Sequence, residues 1–265
     1  MQLSSLARMR VQVMRKISAP LLRSPSLRSR LIGWRAQPID GNSCDEDLAV
    51  LLGFGDIVGA SKLDSRIPEQ ARAEMAESAM MVEDDACPDV RQQDRILLVD
   101  DHRIPARFYV PSGVAPHSPG IVFYHGGGFA LGDLDTHDRY CQHLARDAAV
   151  RVISIDYRLA PEHPFPAGIE DGVNAFRCVA RRAREFDMDP SRIAVMGDSA
   201  GGNLSAVVAH RTKNDTLRPA LQALTTGQHR LSARRTPREA GGHARRSDRC
   251  AASPGQSPGG PADAP

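Results

Sequence analysis

Arg192-Ile193-Ala194-Val195-Met196-Gly197-Asp198-Ser199-Ala200-Gly201-Gly202 decides the fold of this 265-residue chain. An apolar run of strand length ends in Gly-x-Ser-x-Gly, and Leu204, Val207 and Val208 then recur at helical spacing. A strand that passes into a helix through one tight turn puts the serine between them on strained backbone. Its hydroxyl is thereby exposed at the carboxyl end of the strand. Glycines at Gly197 and Gly201 remove the Cβ atoms that would crowd this junction. The N–H of Ala200 falls at a helix N-terminus, where the backbone carries partial positive charge.

A second turn follows the same plan upstream. Ile121-Val122-Phe123-Tyr124 runs into His125-Gly126-Gly127-Gly128-Phe129. The bare backbone of Gly126, Gly127 and Gly128 lets a ligand approach with no side chain in the way. Its N–H groups are then free to point at a developing oxyanion, and one such donor is worth about 3 kcal/mol of barrier. A flexible glycine loop has the same composition. The pairing of two strand-to-glycine turns argues for the oxyanion reading.

A third block, Asp156-Tyr157-Arg158-Leu159-Ala160-Pro161-Glu162-His163-Pro164-Phe165-Pro166-Ala167, completes a pattern. With these three blocks the chain resembles the hormone-sensitive-lipase-like family of α/β-hydrolases, in particular its bacterial carboxylesterases and lipases. The resemblance extends from about Asp45 to about Leu224. It implies that Ser199 is the catalytic nucleophile and that Gly127, Gly128 and Ala200 donate the oxyanion-hole N–H groups. It implies a supporting role for His125, Gly126, Gly197, Asp198 and Gly201. It also implies that Tyr157, Arg158 and Glu162 brace the site from behind, and that His163 is not the catalytic histidine. No cofactor and no metal are expected.

Around the motifs, strands alternate with helices. Arg95 to Val99 and Ile104 to Val110 read as strands joined by the turn Asp100-Asp101-His102-Arg103. Gly120 to Tyr124, Arg151 to Asp156 and Arg192 to Met196 read as further strands. Helices are predicted at about 137–148, 168–186 and 200–213, and Ala220 to Leu224 starts another strand. This order predicts an α/β protein of the α/β-hydrolase type: a mostly parallel sheet with helices on both faces. An N-terminal helical cap covers it, with helices at Asp45 to Leu52 and Ile67 to Met81, and the last strands of the fold are missing.

Four segments follow: a basic N-terminal arm (1–44), a helical cap segment (45–90), an incomplete hydrolase core (91–224) and a tail (225–265). Met1 to Ile39 holds eight Arg/Lys and no acid. Leu3, Leu6, Met9, Val13 and Ile17 fall at helical spacing within the arm, until Pro20 and Pro25 break the pattern. This is either an exposed basic helix or an interfacial helix making weak contact with an anionic membrane surface. Ala, Arg, Gly and Pro make up 25 of the 41 residues of the tail, and Leu231 is its one large aliphatic. Burying one leucine gains about 2 kcal/mol, against tens of kcal/mol of ordering entropy at about 1 kcal/mol or more per residue. The tail is expected to be disordered. Its GC-codon composition and its start inside a strand suggest a reading-frame shift near Gln222 to Thr225.

Five cysteines without CxxC spacing (Cys44, Cys87, Cys141, Cys178 and Cys250) suggest a reducing compartment. With no long apolar run and no signal peptide, a cytoplasmic location is expected. No specific nucleic-acid partner is expected; the substrate class is a small-molecule acyl ester.

Only 66 residues follow Ser199. The triad acid and histidine that the resemblance calls for after later strands have no matching motif. Asp215, His229 and His243 have the right order along the chain but no matching context. Activity is therefore expected to be impaired. The competing reading is a non-catalytic truncated homologue that binds anionic surfaces or nucleic acid through its basic termini.

Overall fold

The computed structural model describes residues 16, 24–32, 49–50, 67–82, 85–99, 102–226 and 230–235. Helix α1 (Pro25–Ile32) and helix α2 (Pro68–Val82) precede the sheet. Then come β1 (Val90–Val99), β2 (His102–Pro111), β3 (Ser118–Tyr124), α3 (Asp138–Ala148), β4 (Arg151–Ile155), α4 (Ala167–Arg181), a 3₁₀ turn (Ala183–Phe186), β5 (Met188–Asp198), α5 (Ala200–Arg211), β6 (Leu221–Thr226) and β7 (Arg230–Arg235).

The seven strands lie in the order β1-β2-β4-β3-β5-β6-β7. The β4, β3, β5 and β6 strands are mutually parallel; β2 and β7 run antiparallel to them at the two sides, and β1 pairs antiparallel with β2 at the outer edge. Helices cover both faces. Val173, Phe176 and Val179 of α4 and Leu204 and Val208 of α5 pack with Val122, Tyr124, Ile153 and Val195 on one face. Cys141 and Ala145 of α3 pack with Phe123, Val152 and Met196 on the other. A strand covered on both faces must be apolar throughout or satisfy its polar groups. All five residues of β4 are buried accordingly.

The chain leaves β3 toward one edge to form β4, then crosses back to place β5 on the other side of β3. The switch point lies between β3 and β5. In open α/β sheets the crevice outside the carboxyl ends of such a strand pair is where ligands bind. Tyr124, the last residue of β3, stands opposite Gly197 in β5, so both glycine turns open into this crevice.

The differences from the sequence reading have physical reasons. The β1 strand starts at Val90, not Arg95, because its polar residues face solvent along an edge and carry no apolar signal while the ladder with β2 runs on. The predicted helix 168–186 is two elements: α4 ends at Arg181 and a 3₁₀ turn follows, closed by Asp187 at φ 59°. Pro25 begins α1 instead of breaking a helix, since the first helical position needs no N–H. The cap helix read at Ile67 to Met81 is α2. Of the one read at Asp45 to Leu52 only Ala49 and Val50, both helical and buried, are among the described residues.

The largest difference is at the tail. The core boundary at 224 falls inside β6, which continues to Thr226. Six residues of the segment read as disordered form β7, paired antiparallel with β6. The outer edge of β6 therefore carries a further strand. Backbone pairing alone rewards such an addition, because an open edge leaves N–H and C=O groups without partners. Residues 227–229 and 236–265 lie outside the described residues, as do most of the basic arm and the first half of the Asp100-Asp101-His102-Arg103 turn.

Candidate active site

Ser199 is the residue between β5 and α5, with φ 48° and ψ −116°. A non-glycine residue there is strained, and such strain persists only where the surroundings enforce it. The Ser199 N–H donates to the Thr225 carbonyl at 2.9 Å. The Thr225 hydroxyl donates to the Gly197 carbonyl at 3.1 Å. Thr225, the first residue of the segment read as tail, thus helps to hold the serine turn. The side chain of Ser199 does not cap the helix that follows it.

The other turn is tied to the serine turn through Asp198. Its Oδ1 accepts the Gly126 N–H at 2.9 Å and lies 3.3 Å from His137 Nε2. His125 is buried in the sheet floor, stacked on the Tyr157 ring at 4.4 Å between centroids. The Tyr157 hydroxyl donates to the His125 carbonyl at 2.7 Å. His125 Nδ1 lies 2.8 Å from the Gly126 carbonyl. A carbonyl only accepts, so the proton sits on Nδ1. Burial pulls the His125 ring down to about 4, against the opposing pull of that carbonyl. The ring is neutral at pH 7 and packs on Tyr157.

Amide accounting separates the backbone groups of the glycine turn. The Gly126 N–H is used by Asp198, and those of Ala130 and Leu131 both donate to the Gly127 carbonyl, at 3.1 and 2.8 Å. The N–H groups of Gly127, Gly128 and Ala200 have no acceptor among the described residues. Ala200 opens the twelve-residue α5, so its N–H is one of the donors that a helix leaves unpaired at its N-terminus.

The proline-rich block supports the turns from behind. The Arg158 guanidinium takes both oxygens of the buried Asp171 at 2.8 and 2.9 Å, which fixes the block to α4. The Ala160 N–H donates to the Phe129 carbonyl at 2.8 Å.

Two features here are not legible in the sequence: the reach of His137, which belongs to no motif, and the burial of Asp156, although that residue opens the third block. His137, just before α3, reaches Asp198 across the crevice, and its Nδ1 lies 2.9 Å from the Thr136 hydroxyl. Asp156, at the end of β4, has its carboxyl lifted to about 6, first by burial and then by Asp133 and Asp135. A long-range pairing and a burial effect leave no local pattern to read.

No ring nitrogen of a described histidine is bonded to Ser199: both nitrogens of His137 and His143 are engaged elsewhere, and His125 holds its Nδ1 at the Gly126 carbonyl while its Nε2 is buried without a hydrogen-bond partner among the described residues. Asp215 is paired with Arg177 at 2.8 Å. His229 and His243 lie outside the described residues. Cys87, Cys141 and Cys178 are buried free thiols, and no described helix is long and apolar enough to cross a membrane.

Burial pushes the Asp198 carboxyl up, but the His137 ring and the Gly126 N–H outweigh it and hold the group below its ordinary value. A carboxylate with a depressed pKa contributes stability that is present above its unfolded value, near 3.9, and lost as pH falls through the folded value. Asp198→Asn is therefore expected to flatten the loss of stability below about pH 4. Urea midpoints of both proteins between pH 3 and pH 5 check this; parallel curves would exclude it.

Comparison with known proteins points one way. A family profile described as alpha/beta hydrolase fold matches residues 121–254, running on into the segment set apart as a tail. The carboxylic ester hydrolase LipN of Mycobacterium tuberculosis is 43% identical over 198 residues, covering 74% of this chain and 52% of the relative. Ethyl acetate hydrolase of Pseudomonas putida is 35% identical over 161 residues, covering 59% and 51%. Among solved structures, an ester hydrolase from the Lake Arreo metagenome superposes with a TM-score of 0.59 at 38% identity, covering 64% of this chain and 55% of that one. The chain spans about half the length of these curated relatives.

Proposed function

The chain belongs to the alpha/beta hydrolase fold family, in its hormone-sensitive-lipase-like branch, and on that premise we propose that it carries the acyl-transfer machinery of a serine carboxylic ester hydrolase. The observation that carries this reading is the set of three amides without acceptors, at Gly127, Gly128 and Ala200, beside a serine held at φ 48°. Ser199 Oγ attacks the carbonyl carbon of a small acyl ester. The new C–O bond pushes the carbonyl electrons onto oxygen, and the three N–H groups receive that charge. Collapse of the intermediate expels the alcohol and leaves the acyl group on Ser199. Water then attacks the acyl-serine through the same oxyanion and releases the acid.

The serine proton needs an acceptor. With no described histidine bonded to Ser199, it passes to solvent, and the hydroxyl is a weak nucleophile. Turnover by this chain is expected to be on the order of 10⁴- to 10⁶-fold below that of a complete triad, with the oxyanion hole and binding supplying what remains.

Incubation with p-nitrophenyl acetate, followed by peptide mass spectrometry, tests the reading. A slow, single acetyl adduct on Ser199 is expected, and it disappears in Ser199→Ala. Acetylation spread over lysines, with Ser199 unmodified, would overturn the assignment.

A further inference from the structure

We propose that Arg72, on α2, is a positioning residue for the oxyanion loop, acting through a relay of two peptide planes to aim the Gly128 N–H. The inference rests on the ester-hydrolase reading of the site and names a member of it that no motif contains.

The Arg72 guanidinium makes four hydrogen bonds to three points far away in sequence. Its Nε donates to the Ala130 carbonyl at 2.8 Å. Its Nη2 donates to the Ala160 carbonyl at 2.9 Å and to Glu162 Oε2 at 2.7 Å. Its Nη1 donates to Glu162 Oε1 at 2.9 Å. One rigid fork thus joins α2 to the glycine turn and to the proline-rich block.

The bond to Ala130 matters because of what lies in the same peptide unit. A trans peptide is planar, with its C=O and the next N–H pointing in opposite directions. The Ala130 carbonyl shares its plane with the Leu131 N–H. That N–H donates to the Gly127 carbonyl at 2.8 Å. The Gly127 carbonyl in turn shares its plane with the Gly128 N–H, one of the amides left without an acceptor. Arg72 therefore fixes one plane, which fixes the next, which sets the direction of the Gly128 donor. Glycine at 127 and 128 supplies no side chain to resist rotation of the second plane, so the restraint has to come from hydrogen bonds.

A surface ion pair alone would do none of this. Glu162 has 49% of its side chain exposed and Arg72 has 23%, and such pairs contribute little. The distinguishing contact is the one to the Ala130 carbonyl. Glu162→Gln keeps it, Arg72→Ala removes it, and Arg72→Lys replaces a planar fork with a point charge that cannot serve two carbonyls and a carboxylate together.

The experiment combines amide exchange with acylation kinetics on the full chain. In Arg72→Ala, exchange of the Ala130 and Leu131 amides is expected to rise at least tenfold while β3 and β5 stay protected. The maximal rate of Ser199 acetylation by p-nitrophenyl acetate is expected to fall about tenfold or more with little change in the half-saturating ester concentration, since the donor acts on the transition state. Added methylguanidine restores the rate in Arg72→Ala, and Glu162→Gln stays within about threefold of the parent chain. If Arg72→Ala does not fold, Arg72→Lys takes its place in the same measurements. Unchanged exchange at Ala130 and Leu131, or a Glu162→Gln effect equal to that of Arg72→Ala, overturns the proposal. If the parent chain shows no Ser199 acetylation, the ester-hydrolase reading fails instead, and the exchange result alone decides whether Arg72 holds the loop.

Discussion

Gly201→Ala is expected to destabilise the protein by at least about 3 kcal/mol and to lower its melting temperature by roughly 6 °C or more. A Cβ at position 201 would overlap the Tyr124 carbonyl oxygen and lie 2.6 Å from that of His125. Neither neighbour is a side chain that can swing away. Tyr124 is the buried end of β3, its hydroxyl donating to the Gly172 carbonyl at 2.8 Å, and its backbone is paired across to β5. The methyl group fits only if α5 moves away from the sheet, which opens the packing of Leu204 and Val208 against the core. Overpacking against flexible side chains costs about 1–3 kcal/mol; against fixed backbone the upper end of that range is the starting point. Gly113→Ala is the matched comparison. Its φ is +75° and nothing lies within 4 Å, so it carries only the left-handed backbone penalty of about 1–2 kcal/mol. Thermal melts of the two variants check the pair. Equal melting temperatures would mean that the junction of β5 and α5 is looser than described.

Gly127→Ala is expected to lower the rate of Ser199 acylation by about 10²- to 10³-fold, equivalent to about 3–4 kcal/mol of barrier. Gly127 has φ +119°, a conformation that L side chains rarely adopt, and a Cβ there would run into the Leu131 carbonyl group. Relief requires the turn to rotate. Rotation breaks the bonds from the Ala130 and Leu131 N–H groups to the Gly127 carbonyl and swings the Gly128 N–H away from the crevice. Because a displaced oxyanion donor removes stabilisation made in the transition state, the maximal rate falls and the half-saturating ester concentration changes little. The readout is the time course of acetyl-Ser199 by mass spectrometry. A variant that acylates as fast as the parent would remove Gly127 and Gly128 from the oxyanion assignment.

What the sequence made legible has a physical basis, and so does what it hid. The β3 and β5 strands and the two glycine turns announce themselves because burial on both faces demands apolar runs, and because the junction of strand, serine and helix tolerates nothing larger than glycine at 201. The Arg72 contact left no trace: one arginine in a mixed, weakly amphipathic helix looks like any exposed charge until Ala130, Ala160 and Glu162 are brought to it. The bond from His137 toward Asp198 was hidden for the same reason. The start of β1 was missed because Arg91, Gln92, Gln93 and Asp94 are exposed edge residues with no periodicity to detect. At the other side of the sheet the tail was judged by its lack of apolar residues. Strand β7 is a backbone attachment to β6, and composition says little about that kind of pairing.

The register of Tyr124 against Gly197 places the two turns on neighbouring strands of one ladder. Adjacent strands stand about 4.8 Å apart whatever side chains they carry. The separation of Ser199 from the glycine turn is thus set by the backbone ladder, and only the aim of the amides within the turn is left to contacts such as that of Arg72 with the Ala130 carbonyl. Substitutions elsewhere on the two strands can change what surrounds the turns without changing the spacing between them, because the ruler that sets it is not made of side chains.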